Sequence, residues 1–193
     1  MRLLLFFYLF LLVWFSSGYY HPIIKGITII IFLSVSIYFL KYHYDEGLKL
    51  SDNAKEYYSV TQHIKENSLV LPLDYSANWM HNNIAAYLGT CRTIFILDDY
   101  DASSPHFPVM WKHTFGLTPP ELLGKGFGNI PPSADIDNFE KITGYNLDYI
   151  TRWGYNPAIQ DSCTLAINSK LKKDFTRIFV SSSGTAELFQ RNK

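Results

Sequence analysis

The chain has 193 residues, 17 basic and 17 acidic side chains, and a formal net charge of zero. That balance supplies no basic field, so nucleic acid is not an expected partner. Aromatic residues make up 17% of the chain, a surplus that suits membrane spans, a protein core or a sugar-binding groove; for the water-facing part the core is the reading adopted.

The front end is the most apolar region. Residues 3–40 are almost wholly apolar, broken chiefly by Ser16-Ser17-Gly18, His21-Pro22 and Lys25. Arg2, the run LLLFFYLFLLVWF and the small residues after it have the order of a secretory signal peptide. A second run, IIKGITIIIFLSVSIYFL, follows at once, and its length is near the ~20 residues that cross a ~30 Å hydrocarbon core. The adopted reading is a transmembrane helical hairpin over residues 1–42, with Pro22 opening the second helix; a signal peptide plus one anchor and interfacial burial are the alternatives. Lys41, Lys49 and Lys55 follow the second run, which by the positive-inside rule holds the remainder in the cytoplasm, although Asp45, Glu46 and Asp52 interleave with them.

Residues 43–193 read as one α/β domain. Ser51 or Asp52 is predicted to cap a helix reaching Glu66, with Ala54, Tyr57, Thr61 and Ile64 as its docking stripe. SLVLPLDY (68–75) reads as a buried strand limited by Pro72. HNNIAAYL (81–88) reads as a short helix ended by Gly89, and RTIFILDDYD (92–101) as the strongest strand, parallel to the first through a βαβ crossover. Residues 102–148 are loop-rich, with a helix over 136–144. NLDYITRWG is strand-like, Ser162 is expected to cap a helix with Cys163, Ile167, Leu171 and Phe175 on one face, and residues 175–191 form a hairpin around Ser183-Gly184. The expected fold is therefore α/β: two N-terminal transmembrane helices, then a small mixed-sheet domain with one helical layer and a C-terminal β-hairpin.

The element order around SLVLPLDYSANWMHNNIAAYLG, RTIFILDDYDASSPHFPVMW and the closing FTRIFVSSSGTAELFQR resembles the C-terminal extracytoplasmic domain of polytopic membrane glycosyltransferases that use lipid-linked sugars. The resemblance implies a periplasmic or equivalent outside location, a multi-pass membrane protein, and lipid bilayer and lipid-linked sugar as partners. In that family the catalytic acid lies on a loop near the first spans, whereas residues 16–26 contain no Asp or Glu. No catalytic residue is carried over. The chain thus looks like the tail of a longer enzyme or a shortened relative that kept an accessory domain, non-catalytic by itself. The alternative is an autonomous small membrane protein whose envelope domain binds a partner.

The strongest local chemistry is Asp98-Asp99-Tyr100-Asp101 at the end of a predicted strand. Asp99-x-Asp101 has the spacing with which some nucleotide-sugar transferases hold Mg²⁺ or Mn²⁺, so a metal-dependent transferase is a third reading; a solvated acidic turn is the plainer one. His106 lies beside this turn, and His81 and His113 are further candidates for an Asp/His site, against ordinary surface or hydrogen-bonding roles. His63 is expected to be solvated on the predicted helix. Trp79, Asn78, His81, Tyr100 and Trp111 are residue types suited to a sugar surface, against core aromatics flanked by polar loops. No cofactor is expected beyond a possible divalent metal. Cys91 and Cys163 either pair, if the compartment oxidises, or remain two buried thiols. Gly124-Lys125-Gly126 lacks the phosphate-loop spacing, and no GxSxG elbow occurs.

Overall fold

The computed structural model describes residues 6, 10–14, 16–76, 78, 81, 84–98, 102, 110–111, 117–124 and 132–192. The chain divides into two compact units, Met1–Leu48 and Lys49–Lys193.

Helix α1, Pro22–Thr61, begins in the first unit and ends in the second. Pro22 pre-sets the first helical turn, and no later proline interrupts it. Ser51 and Asp52 are thus interior helical residues rather than the predicted cap, because the apolar run and the amphipathic segment propagate as one helix. Among the described residues α1 is the one helix long and apolar enough to cross a membrane, and its most apolar window is wholly unburied. Within it the Thr28 and Ser34 hydroxyls donate to the Ile24 and Ile30 carbonyls, so these polar groups are satisfied inside the helix. Of the first apolar run, Phe6, residues 10–14 and Ser16 are helical, and the rest lies outside the described residues. The two predicted spans are therefore represented by one candidate.

The second unit is built on a five-stranded mixed sheet of order β2-β1-β3-β5-β4. The strands are β1 (Leu69–Asp74), β2 (Phe95–Ile96), β3 (Tyr149–Trp153), β4 (Phe175–Val180) and β5 (Ala186–Arg191). β1 is parallel to both neighbours, whereas β3, β5 and β4 are mutually antiparallel. The parallel β1–β2 pair and the terminal hairpin agree with the sequence reading, and Gly184, at φ 78°, supplies the left-handed turn residue.

The predicted long strand over 92–101 is in fact two residues, for a reason lying in β1. The Phe95 and Leu97 amides donate to the Ser68 and Val70 carbonyls. The next β1 residue in that phase is Pro72, which has no N–H to return, so pairing stops at Val70↔Ile96.

Helices cover both faces of the sheet, not one. Val70, Tyr149, Trp153, Ala186 and Leu188 pack with Tyr57, Val60 and Ile64 and with a 3-10 helix, Ile84–Gly89. Leu71, Leu73, Ile150 and Phe189 pack with α3 (Ile136–Thr143) and α4 (Ser162–Asp174), and a short α2, Pro119–Leu122, precedes them. A sheet whose central strands are parallel needs both faces dry, and β3 is buried at every position. Ala54, Tyr57, Thr61 and Ile64 are buried as the stripe requires, but the helix ends at Thr61 rather than the predicted Glu66, and Ile64 sits in the turn that follows. α3 is capped by Asp135, which accepts from the Asn138 amide, and ends at Gly144. The α4 cap is Asp161, one residue before the predicted Ser162. Cys163 is exposed rather than on the buried face, and Phe175 is the first residue of β4.

Candidate functional site

β1 and β3 are adjacent and parallel, yet their exits diverge. The chain leaving β1 builds the 3-10 helix on one face, and the chain leaving β3 builds α4 on the other. The carboxyl ends of adjacent strands with connections on opposite faces are the usual ligand position in α/β sheets. Here that edge carries Asp74, Tyr75 and Ser76 from β1, Trp153 and Gly154 from β3, and Asp98 two residues beyond β2.

The two exits are locked together. The Tyr75 amide donates to the Trp153 carbonyl at 2.9 Å, the Gly154 amide to the Thr185 carbonyl at 2.9 Å, and the Ser76 amide to Asp74 Oδ1 at 2.7 Å. Gly154 has φ 65°, a left-handed conformation that favours glycine, while a Cβ there would make only ordinary contact with the Ser76 amide nitrogen at 3.4 Å. These three amides are consumed by protein acceptors and make no anion-binding nest. The edge carries carboxylates instead: Asp74, which accepts from the Ser76 amide, and Asp98, both near enough to act electrostatically on Tyr57. Such a surface suits hydroxyl donors better than phosphate. Behind it, Tyr57 Oη and Thr151 Oγ1 share a buried 2.6 Å hydrogen bond. On the opposite face burial pushes the Tyr75 phenol up to about 12.

His81 sits against this edge, only 8% exposed. Its Nδ1 lies 3.0 Å from Ser76 Oγ and accepts from Trp153 Nε1 at 3.4 Å, and its Nε2 lies 3.1 Å from the Asn53 side-chain amide. Of the predicted site residues, His81 and Asp98 thus come to the carboxyl edge, and Asn78 is exposed beside it. Trp111 packs on the opposite face, against the cluster of Leu71 and Ile150, so it does not share a surface with His81. Trp79, Asp99, Tyr100, Asp101, His106, His113 and residues 125–128 lie outside the described residues. Among the described residues no three His, Cys, Asp or Glu side chains converge to hold a metal. His63 lies just past α1, exposed and stacked on Phe179 at 4.3 Å.

Sequence reasoning missed Asp74, Ser76, Asn53 and Trp153 as members of this edge. The available signal was Asp74 itself, an acid closing an otherwise apolar strand. It also missed a buried ion pair on the other face. Arg152 Nε donates to Glu187 Oε2 at 2.8 Å, Arg152 Nη1 to Asn168 Oδ1 at 2.9 Å, and Arg177 Nη1 to Glu187 Oε1 at 2.8 Å. The Arg152 guanidinium also lies 3.8 Å from the Tyr155 ring centroid. A separate cleft of about 340 Å³, lined in part by Leu123, Ile136, Cys163, Ile167 and Lys170, opens in the helical layer and contains none of the predicted site residues. Both cysteines are unpaired and exposed, so neither the disulfide nor the pair of buried thiols describes them. No family model, curated protein or solved structure matches the chain.

Proposed function

We propose that this chain is the accessory, non-catalytic part of a glycosyltransferase-like membrane protein, helping to recognise a lipid-linked sugar or its acceptor at the carboxyl edge of β1 and β3. The observation that supports the reading is the placement of Asp74 and Asp98 at the carboxyl edge, where the Tyr75, Ser76 and Gly154 amides are already engaged. That chemistry favours the sugar hydroxyls of such a ligand over its phosphate. The full chain in lipid nanodiscs is to be titrated with polyprenyl-phosphate sugars, with polyprenyl phosphate alone as the control. Sugar-dependent binding, weakened about tenfold by Asp74→Asn, is the expected result. Equal binding of the control, or no effect of Asp74→Asn, defeats the assignment.

The reading includes two spans and an extracytoplasmic domain. The exposed, unpaired Cys91 and Cys163 report sidedness without engineering. A membrane-impermeant maleimide added to intact cells is expected to label the protein, and replacing both cysteines with serine to abolish the label. Labelling only after permeabilisation places the domain in the cytoplasm.

A further inference from the structure

We propose that two aromatic collars bind the headgroup layers of a phospholipid bilayer and fix where this chain enters and leaves it. Trp14, Tyr19 and Tyr20 form one collar, and Tyr38, Tyr42 and Tyr44 the other; all are exposed, and all belong to the first compact unit. Pro22 opens α1 directly after the first collar, and Tyr42 follows twenty residues later. At ~1.5 Å per residue that separation is about 30 Å, the thickness of a hydrocarbon core. Between the collars residues 29–33 are consecutive apolar side chains that circle the helix. A helix lying flat on a membrane keeps one side polar, so this one is built to cross. Tyrosine and tryptophan suit the two boundaries because each joins an apolar ring to a polar tip.

Local structure supports both collars. The Ser16 and Ser17 hydroxyls donate to the Val13 and Trp14 carbonyls at 2.8 Å, which satisfies them where the first apolar run ends. A Cβ on Gly18 would meet the Tyr20 ring at 2.6 Å, so glycine is what lets that ring fold back on the connector. At the far end Tyr38 lies one turn before Tyr42 on the same side of α1. Beside them His43 sits edge-on to Phe39 at 4.3 Å and to Tyr42 at 5.7 Å. The charges agree with these boundaries. Side chains lean toward the N-terminus of a helix, so Lys25, in the first turn of α1, extends its stem back toward Tyr20 and keeps its ammonium in water. Lys41 falls within the second collar, and the first acidic residues of the chain, Asp45 and Glu46, come directly after it.

The inference rests on the membrane-spanning part of the proposed function and not on sugar recognition. Its test is spin-label accessibility of the full chain in phospholipid nanodiscs, after Cys91 and Cys163 are replaced with serine. A nitroxide is attached singly through His21→Cys, Ile31→Cys or His43→Cys, and collisions with oxygen, which enters hydrocarbon, are compared with those of a water-soluble nickel chelate. The oxygen-to-nickel ratio is expected to be about tenfold higher at position 31 than at 21 and 43. Replacing Tyr38, Tyr42 and Tyr44 together with leucine removes the polar tips, and the ratio at position 43 is then expected to rise about tenfold. Replacing the same three with tryptophan is expected to leave it low. A low ratio at all three positions overturns the span and the collars with it. A high ratio at position 31 with no response of position 43 to the leucine replacements keeps the span and overturns the collars.

Discussion

Replacing Glu187 with alanine is expected to destabilise the α/β domain by about 3–5 kcal/mol, the cost of stranding a buried charge. Glu187 and Arg152 face each other in register across β3 and β5, with side chains 10% and 8% exposed. Removal of the carboxylate leaves the Arg152 guanidinium in the core, with Asn168 and the Tyr155 ring as its remaining partners among these contacts. Arg177 bonds the same carboxylate but is 55% exposed and stays hydrated without it. Arg177→Ala is therefore expected to cost no more than about 1 kcal/mol. The double replacement Arg152→Met with Glu187→Leu is expected to recover most of the loss, because two apolar chains of similar volume satisfy the site that one unpaired ion cannot. Urea unfolding of the full chain in nanodiscs, followed by near-ultraviolet circular dichroism, measures all three. A Glu187→Ala loss below about 1 kcal/mol would show that water reaches the pair.

The second large effect concerns the apolar run. Ile31, at the middle of residues 23–40, is 58% exposed in the protein alone, as expected of a side chain whose solvent is lipid. Ile31→Arg is expected to raise the cost of inserting this helix by about 2.5–3.5 kcal/mol, shifting the insertion equilibrium roughly a hundredfold. Alkaline carbonate extraction of membranes reads this directly, with wild type retained and the variant released. Leu165→Arg, at an exposed position of α4, serves as the control and is expected to remain with the membrane. Full retention of Ile31→Arg would show that residues 23–40 are not what anchors the chain.

Features encoded by local chemistry were legible in the sequence. The Ala54, Tyr57 and Thr61 stripe, the helix read over 136–144 and found over Ile136–Thr143, and the closing hairpin each follow from residues close together in the chain. Features decided by distant partners were not. The strand promised by RTIFILDDYD is cut to two residues by a proline on its neighbour, a restriction absent from its own sequence. The second helical layer became visible only once the parallel pairing of β1 and β3 required cover on both faces. Of the candidate site, His81 and Asp98 were found as residues of suitable chemistry. Their companions Asn53, Ser76 and Trp153 carry no such signature and acquire their role from register and topology alone.

The missing amide of Pro72 also has a consequence for how many copies of this protein can share a surface. An extended, regular sheet margin invites strand addition by a neighbour. One margin here is β2, with two paired residues, and the other is β4, whose register with β5 breaks between Arg177 and Phe179. Neither offers a long uninterrupted row of backbone donors and acceptors. The proline that shortens one strand thus also helps to keep crowded molecules from zipping together into β-linked assemblies.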